Sequence, residues 1–216
     1  MTRSSARPMT ALGLVFFLVL GPQADGQRSS KPVVLPHLTL LGFTLGKNTF
    51  TNVQSRFGGA TNGHCSDEAE PIAHICYVSK GPDKTKILFE SNRFDPPFEL
   101  SGFRVVAARR SISPCQLQCE PTAALGEGLQ TSGGLKLGLT QKELIALLGP
   151  PSKSKGNRLT FEWLSKRPMT KTEIDQETKT FKAPVTNPYW DVQDIIEVVL
   201  SKSSVVEFEV HHTVTD

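Results

Sequence analysis

Residues 140–149 of the chain read TQKELIALLG and carry the signals of a short amphipathic helix. Thr140 and Glu143 form a capping box, in which each side chain satisfies a backbone amide at the start of the helix. Three leucines supply an apolar face. Gly149 ends the helix, and the two prolines that follow prevent its continuation. This segment therefore predicts a helix that packs one side against a core.

Residues 49–58 read TFTNVQSRFG and repeat this pattern. Thr49 is the predicted N-cap, three apolar residues fall at helical spacing, and Gly58 ends the helix. Both segments span the same number of positions, and a Leu-Gly pair precedes each of them. We interpret the coincidence as an internal repeat.

Strand patterns follow each predicted helix. After the first helix, apolar and β-branched residues mark 75–78, 86–90 and 100–107, and a Gly-Pro-Asp turn makes the first two a predicted hairpin. After the second helix the strand candidates are 158–163, 195–200 and 205–212. Residues 190–200 also fit a helical stripe, and their crowded β-branched side chains favour a strand for the second half.

These elements predict an α+β fold of two tandem units, each a short helical segment packed on an antiparallel β-sheet. The expected bounds are a loose lead-in at 27–36, a first unit at 37–108, a disulfide-pinned linker at 109–134 and a second unit at 135–216. The second unit contains a long insertion, residues 164–188, whose Thr, Lys and Pro content favours irregular structure.

Residues 1–26 predict a secretory signal peptide. A basic start precedes an apolar run of ten residues, and small residues then lie before a cleavage site ahead of Gln27. A membrane-spanning helix needs about 20 apolar residues, so a retained anchor is the less favoured interpretation. We expect a secreted or periplasmic protein with no transmembrane segment in the mature chain.

The chain has four cysteines, Cys65, Cys76, Cys115 and Cys119. An exported protein favours disulfides, and the short spacings favour the local pairs Cys65–Cys76 and Cys115–Cys119 over crossed pairings. The alternative is a zinc site built from all four cysteines, or from cysteines helped by His64 and His74.

The sequence contains no GxSxG, HExxH, P-loop or GxGxxG-after-strand motif. The net charge of +3 is too small to indicate nucleic-acid binding, and we expect no cofactor and no bound metal. His211 and His212 are adjacent on a predicted strand, so their rings point to opposite faces. Strand alternation places the candidate binding residues on an open sheet face: Arg158, Thr160, Glu162, Glu207, Glu209 and His211.

The Leu-Gly pair, short helix, glycine and hairpin-rich sheet resemble the repeat of the secreted β-lactamase inhibitor protein family. They also resemble the small outer-membrane-assembly lipoproteins of the SmpA/OmlA type. The stretches that carry the resemblance are residues 45–58 and 137–149, with the strands that follow each. Cys65 and Cys76 lie where the inhibitor family has a disulfide. The chain lacks a lipid-attachment cysteine after its apolar run, so the likeness to the lipoproteins concerns the fold.

The resemblance implies helix-on-sheet units that bind another protein across the open face of the sheet. We therefore expect an exported, non-catalytic protein-binding module, inhibitor-like or envelope-assembly-like, with a partner that is not nucleic acid. One alternative is a small exported hydrolase or metal-dependent enzyme that uses His64 and His74 or the outward carboxylates. Another is a structural envelope protein whose insertion, residues 164–188, contacts cell-wall material.

Overall fold

The computed structural model of the protein describes residues 35–64, 72–92, 96–110, 112, 118–126 and 128–215. These residues belong to one unit of the chain, Pro32–Asp216. The predicted signal peptide, most of the predicted lead-in, Cys65 and Cys115 lie outside the described residues.

The described residues form three α-helices and a 3-10 helix, Leu35–Leu38. The α-helices are α1, Phe50–Phe57; α2, Gln141–Leu148; and α3, Lys171–Phe181. The strands before α2 are β1, Thr39–Leu40; β2, Phe43–Thr44; β3, Gly63–His64; β4, Ala73–Ser79; β5, Lys86–Ser91; β6, Gly102–Val106; and β7, Glu120–Thr122. The strands after α2 are β8, Lys153–Lys155; β9, Arg158–Pro168; β10, Tyr189–Ser201; and β11, Ser204–Thr215.

Helices α1 and α2 begin and end where the sequence predicts. Thr140 accepts a hydrogen bond from the Glu143 amide, and the Glu143 carboxylate accepts one from the Thr140 amide at 2.7 Å. Gly58 and Gly149 follow the two helices at φ angles of 96° and 83°, a region that a side chain disfavours. Each glycine donates its amide to the carbonyl four residues earlier, which closes the last turn.

Most of the strands join one mixed, mainly antiparallel sheet. Eight of them lie in the order β3-β4-β5-β6-β11-β10-β9-β8, and β7 pairs in parallel with the outer edge of β4. The predicted 75–78 and 86–90 hairpin is confirmed as β4–β5, and residues 190–200 lie entirely within β10. The α+β class is therefore confirmed.

One face of this sheet carries the main hydrophobic core. Phe50, Val53 and Phe57 of α1 and Leu144 and Leu148 of α2 belong to a single buried cluster that includes sheet side chains. The sheet contributes alternate residues, as a half-buried strand must: Ile75, Tyr77, Ile87, Phe89, Phe103, Val105, Leu159, Phe161, Ile196, Val198, Phe208 and Val210. Both helices thus cover the same side of the sheet.

Each helix is attached to the sheet through the chain that precedes it. The donors on the α1 side are Gly46 N to Leu100 O, Leu100 N to Asn48 O and Phe50 N to Phe98 O, at 2.8, 2.8 and 2.9 Å. The bonds on the α2 side are Gly138 N to Val205 O, Val205 N to Leu139 O and Gln141 N to Ser203 O, at 2.8, 2.8 and 3.0 Å. Leu100 makes two of the bonds on the α1 side, and Val205 makes two on the α2 side. In both cases the amide of the first helical residue donates to the carbonyl two residues before Leu100 or Val205.

The insertion, residues 164–188, is not irregular as predicted. It completes β9 and contains α3, which begins at a third capping box, with Thr170 as the cap and Glu173 as its partner. No residue of α3 is buried. A helix without an apolar face towards the core gives no hydrophobic periodicity, so the apolar pattern of this segment does not indicate a helix.

The predicted disulfide pairing is wrong, because Cys76 is bonded to Cys119, with 4.5 Å between their Cα atoms. The parallel pairing of β4 with β7 places Tyr77 opposite Glu120, so the two preceding residues are also neighbours. The linker at 109–134 is therefore tied to β4 rather than to its own loop. This bond also excludes a zinc site made from all four cysteine thiolates.

Candidate binding face

The six candidate residues lie on the sheet side opposite α1 and α2, which we call the polar face. The register aligns them in three rows through β10, because partners in antiparallel strands point to the same side. The rows are Arg158–Val199–Glu207, Thr160–Glu197–Glu209 and Glu162–Ile195–His211. The shared side expected from strand alternation is thus confirmed.

Glu207 and Glu209 are not outward in the sense predicted, since they are only 8% and 7% exposed. Residues 107–110 and Ile112 fold across the β6 end of the polar face. Arg110 Nε lies 2.9 Å from Glu207 Oε2 in this covering segment. Ile112 packs with Cys76, Leu88 and Val106 in a second, smaller apolar cluster. Strand alternation cannot predict the contact between Arg110 and Glu207, because the two residues are far apart in the sequence.

A polar cluster lies at the centre of the sheet and consists of Glu90, Arg104, Glu209 and His211. Arg104 Nη2 is 2.6 Å from Glu209 Oε2, and His211 Nε2 is 2.5 Å from Glu209 Oε1. His211 Nδ1 lies 3.6 Å from Glu90 Oε2, and His74 Nε2 lies 3.6 Å from Glu90 Oε1. The Glu209 carboxylate therefore lies between Arg104 and His211, and the Glu90 carboxylate lies between His211 and His74.

Gly102 makes room for this cluster. A Cβ atom at Gly102 would lie 2.8 Å from His211 Nδ1 and 3.0 Å from Glu90 Oε2. Real Cβ contacts of this length essentially never occur, so a side chain there would displace the imidazole or the carboxylate. The glycine therefore fixes how closely β6 approaches the two partners.

The electrostatics of the cluster favour its ionised form. Burial opposes ionisation of Glu209, but hydrogen bonds from His211 and Arg104 outweigh burial and lower the pKa of this carboxyl to about 2. Burial likewise opposes protonation of His211, whereas the hydrogen bond to Glu209 and the charges of Glu209 and Glu90 raise its pKa above the ordinary value. The cluster is therefore an ion network whose opposite charges stabilise one another, although Arg104 Nε is buried without a hydrogen-bond partner among the described residues.

Glu90, Glu209 and His211 could offer a metal one ligand atom each, since these atoms lie within 4.8 Å of one another. The chemistry of the set does not fit a cation well. Arg104 already holds one Glu209 oxygen and His211 holds the other, so a metal ion would displace one partner and lie beside a guanidinium.

The rest of the polar face, on β9 and β10, is open among the described residues and its side chains hold one another in place. Arg158 is ion-paired with Glu197 across the strands. Gln193 Nε2 donates to Glu162 Oε1 at 2.7 Å, and half-buried Ile195 lies between these two pairs. We call this surface the open half.

Two large apolar side chains continue the open half into the insertion. Leu164 pairs with Gln193 and Tyr189 pairs with Pro168, so both residues lie on the polar face. Leu164 is 75% exposed and Tyr189 is 46% exposed. Exposed apolar side chains that share one side with an ordered polar surround are typical of a protein-contact surface.

Sequence reasoning missed Glu90, Arg104 and Arg110. Glu90 and Arg104 were part of predicted strands, and their alternation already placed them opposite the core residues of β5 and β6. That signal could have found them. The opposite orientation of the two C-terminal histidines is confirmed, since His211 contacts Glu209 and His212 contacts Asp194. The side chain of His64 lies outside the described residues.

Within the described part of the chain, no helix is both long and apolar enough to span a membrane. Comparisons with family models, curated proteins and solved structures found no match to this chain. The resemblance to the inhibitor-protein repeat, and the function it implies, stay predictions.

Proposed function

We propose that this chain is an exported, non-catalytic module that binds another protein through the open half of the polar face. The observation that carries the proposal is the pair of exposed apolar residues, Leu164 and Tyr189, on the same side as the ordered polar rows. Apolar area drives association, while the ion pair and hydrogen bond of the rows supply specificity at the rim. Because those polar side chains are already held by partners, less conformational entropy is lost on binding.

The asymmetric covering of the polar face supports the same proposal. Arg110 and Ile112 lie over the β5, β6 and β11 part, where the ion network is buried. The β9 and β10 part keeps half-exposed and exposed side chains in the described residues. A partner protein would cover the polar face on β9 and β10, as residues 107–110 and Ile112 already cover it at the β6 end.

We also propose that the fold consists of two copies of one unit with a helix and four strands. α1 precedes β3 to β6, α2 precedes β8 to β11, and the sets meet through their last strands, β6 and β11. Leu100 lies four residues before Arg104, and Val205 lies four residues before Glu209. Leu100 and Val205 each accept a bond from the glycine ahead of the helix and donate one to a carbonyl one or two residues after that glycine. On this basis we infer that Arg104 and Glu209, which face each other, are equivalent residues.

The export part of the proposal is supported by covalent chemistry. The Cys76–Cys119 bond suits an oxidising compartment, and the predicted signal peptide provides the route to one. Export is tested by N-terminal sequencing of the mature protein from the secreted or periplasmic fraction. A chain that retains Met1 in a reducing compartment contradicts it.

Site-specific photo-crosslinking tests the binding face. A photoreactive phenylalanine analogue replaces Leu164 on the open half in one variant and Lys142 on α2, across the sheet, in the other. We expect one defined adduct with a second protein from the Leu164 variant when each is irradiated in its native extracellular or envelope fraction. The Lys142 variant should give no such adduct.

A further variant, which carries two substitutions, decides whether the adduct depends on this surface. Adding Tyr189→Ala and Arg158→Ala to the Leu164 probe should abolish the adduct, while circular dichroism confirms an unchanged fold. Equal adducts from both probe positions, no adduct from Leu164, or an adduct that survives the two substitutions would each contradict the proposal.

A further inference from the structure

Strand β9 has an unpaired outer edge along most of its length. β10 pairs with the whole of β9, Arg158–Pro168, whereas β8 pairs only with residues 158–160. Within the described ranges no other strand pairs with β9. The outer side of residues 161–168 is therefore without a neighbouring strand, and we call it the free edge.

The backbone groups of β9 point alternately towards β10 and towards this outer side. Ser152 N donates to Thr160 O at 2.8 Å, and Glu162 N donates to Ser152 Oγ at 3.1 Å. Thr160 and Glu162 therefore direct these groups away from β10, and every second residue of an antiparallel strand does the same. Leu164 and Lys166 follow in this set. In the described part of the chain their amides and carbonyls have no hydrogen-bond partner.

The far end of β9 shows the same alternation. Met169 N donates to Pro188 O at 2.8 Å, so the odd-numbered residues are the ones that bond β10. Pro168 belongs to the outward set, where a missing N–H removes no bond to β10. The free edge thus offers the donors and acceptors of Leu164 and Lys166 at the spacing of a strand.

The side chains beside the free edge are accessible as well. Residues 164–166 are all exposed, and Leu164 is 75% exposed on the polar face. Edge strands are usually protected by charged side chains, by their short length or by a covering segment. Lys166 supplies a charge, but a large apolar side chain lies uncovered next to unpaired backbone groups. This combination favours the addition of a further strand.

The charge beside the free edge favours an acidic strand. Lys153 and Lys155 of β8 are exposed, and neither forms an ion pair among the described residues. An added strand would lie in line with β8, so one of its ends would come next to these lysines. Residues 163–167 of a second copy carry two basic side chains and no acidic one, so like charge disfavours pairing of two copies.

We propose that the partner contributes an extended, acidic segment that adds to the free edge as a further strand. The inference rests on the proposed function, because the added strand would extend the open half. About five partner residues would face residues 163–167 and bond the backbone of Leu164 and Lys166. An apolar side chain opposite Leu164 and acidic side chains near Lys153 and Lys155 would select the sequence of the segment.

A proline substitution tests the main-chain bonds. Lys166→Pro, added to the Leu164 photo-crosslinking probe, removes one outward N–H and leaves the bonds to β10 in place. Lys166→Ala removes the same side chain and keeps that N–H. We expect the adduct yield to fall at least tenfold further in Lys166→Pro than in Lys166→Ala, and thermal melts check that both variants fold. Equal yields contradict strand addition.

Neutralising the lysines of β8 tests the acidic character of the segment. Lys153→Gln combined with Lys155→Gln should lower the adduct yield at least about threefold at about 20 mM salt. Lys47→Gln combined with Lys142→Gln removes the same charge from exposed positions outside the open half and should leave the yield unchanged. No loss in the β8 pair, or an equal loss in the control pair, contradicts an acidic segment.

Hydrogen exchange decides the matter if Lys166→Pro unfolds. In the unbound protein the Lys166 amide should exchange at least tenfold faster than the Ser165 amide, because Ser165 faces Val192 and bonds β10. In the crosslinked complex the Lys166 amide should exchange at least tenfold more slowly than in the unbound protein. Fast exchange that persists in the complex contradicts the added strand.

These results separate the inference from the proposed function. Absence of any adduct from the Leu164 probe contradicts both. An adduct that survives Lys166→Pro in a folded chain contradicts the added strand alone and leaves the binding face standing. An adduct with twice the mass of the chain assigns the free edge to a second copy and contradicts the acidic partner segment.

Discussion

Arg104 and Glu209 are cross-strand partners at the centre of the β6–β11 pairing, and their side chains meet at 2.6 Å. The pairing joins the strands that follow α1 to the strands that follow α2. The salt bridge is therefore a polar contact between the two halves of the sheet, and its two side chains are 23% and 10% exposed.

Removing the cation of this pair should be costly. In Arg104→Ala, Glu209 stays buried and loses one of its two partners, so we expect the free energy of unfolding to fall by about 3–5 kcal/mol. The matched control is Arg158→Ala, which breaks the exposed pair with Glu197 and should cost less than about 1 kcal/mol. Urea denaturation near neutral pH measures both, and equal losses would contradict a special role for the central pair.

The cluster should also give stability a maximum in mildly acidic solution. Glu209 has a pKa of about 2 in the folded protein, below its unfolded value, so its contribution is present above about pH 4.5 and is lost as the pH falls towards 2. The pKa of His211 is raised on folding, so its contribution is present below about pH 6.5 and is lost as the pH rises through the folded value. Among the described residues, the charges of Arg104 and Glu90 also act on these two groups, and His74 lies 3.6 Å from Glu90.

Two variants separate the loss of stability at low pH from the loss at higher pH, which form the acidic and the upper limb of the pH profile. Glu209→Gln should flatten the acidic limb, and His211→Gln should flatten the limb at higher pH. The free energy of unfolding in urea, measured from about pH 3 to about pH 9, gives the profile. An unchanged upper limb in His211→Gln would show that another group titrates there.

Peptide mapping under non-reducing conditions should recover Cys76 linked to Cys119. Of the three ways to pair four cysteines, the one that contains this bond joins the other two, Cys65 and Cys115, to each other. Cys119→Ser should lower the free energy of unfolding by about 4 kcal/mol, the chain-entropy value for a loop of this length. Recovery of Cys115 linked to Cys119 would instead restore the local pairing expected from spacing.

Removing the insertion should leave the sheet intact. The β9–β10 pairing runs to Pro168 and Tyr189, Met169 N donates to Pro188 O at 2.8 Å, and α3 buries no residue. Replacing residues 170–187 with Asn-Gly, the sequence of a two-residue hairpin turn, should change the free energy of unfolding by less than about 1 kcal/mol. A loss of several kcal/mol, measured by urea denaturation, would show that α3 supports the fold.

The helix and strand elements were largely predictable, because their signals are local. Capping residues and following glycines set the bounds of α1 and α2, and alternation placed Arg158, Thr160 and Glu162 on one side of β9. The apolar pattern does not indicate α3, because Ile174 and Phe181 are the only large apolar side chains in this helix, although Thr170 and Glu173 carry the same capping signal as α2.

The candidate site was only partly predictable, because its decisive contacts are distant in sequence. Burial of Glu209 depends on Arg104 and on Ile112, which alternation within β11 cannot reveal. The disulfide depends on β7, a three-residue strand that lies parallel to β4 and was predicted as linker. Both errors come from one segment, residues 107–122, whose turn and strand are too short to give a periodic pattern.

The covalent bond between Cys76 and Cys119 has a mechanical consequence. It encloses a chain separation of 43 residues that holds both β5 and β6. Tension applied at the two termini cannot straighten this stretch while the bond persists, so the oxidised polypeptide should be shorter by roughly 140 Å when fully stretched. In a variant with Cys65 and Cys115 replaced by serine, a single-molecule pulling trace would therefore show the opening of Cys76–Cys119 as a step in contour length.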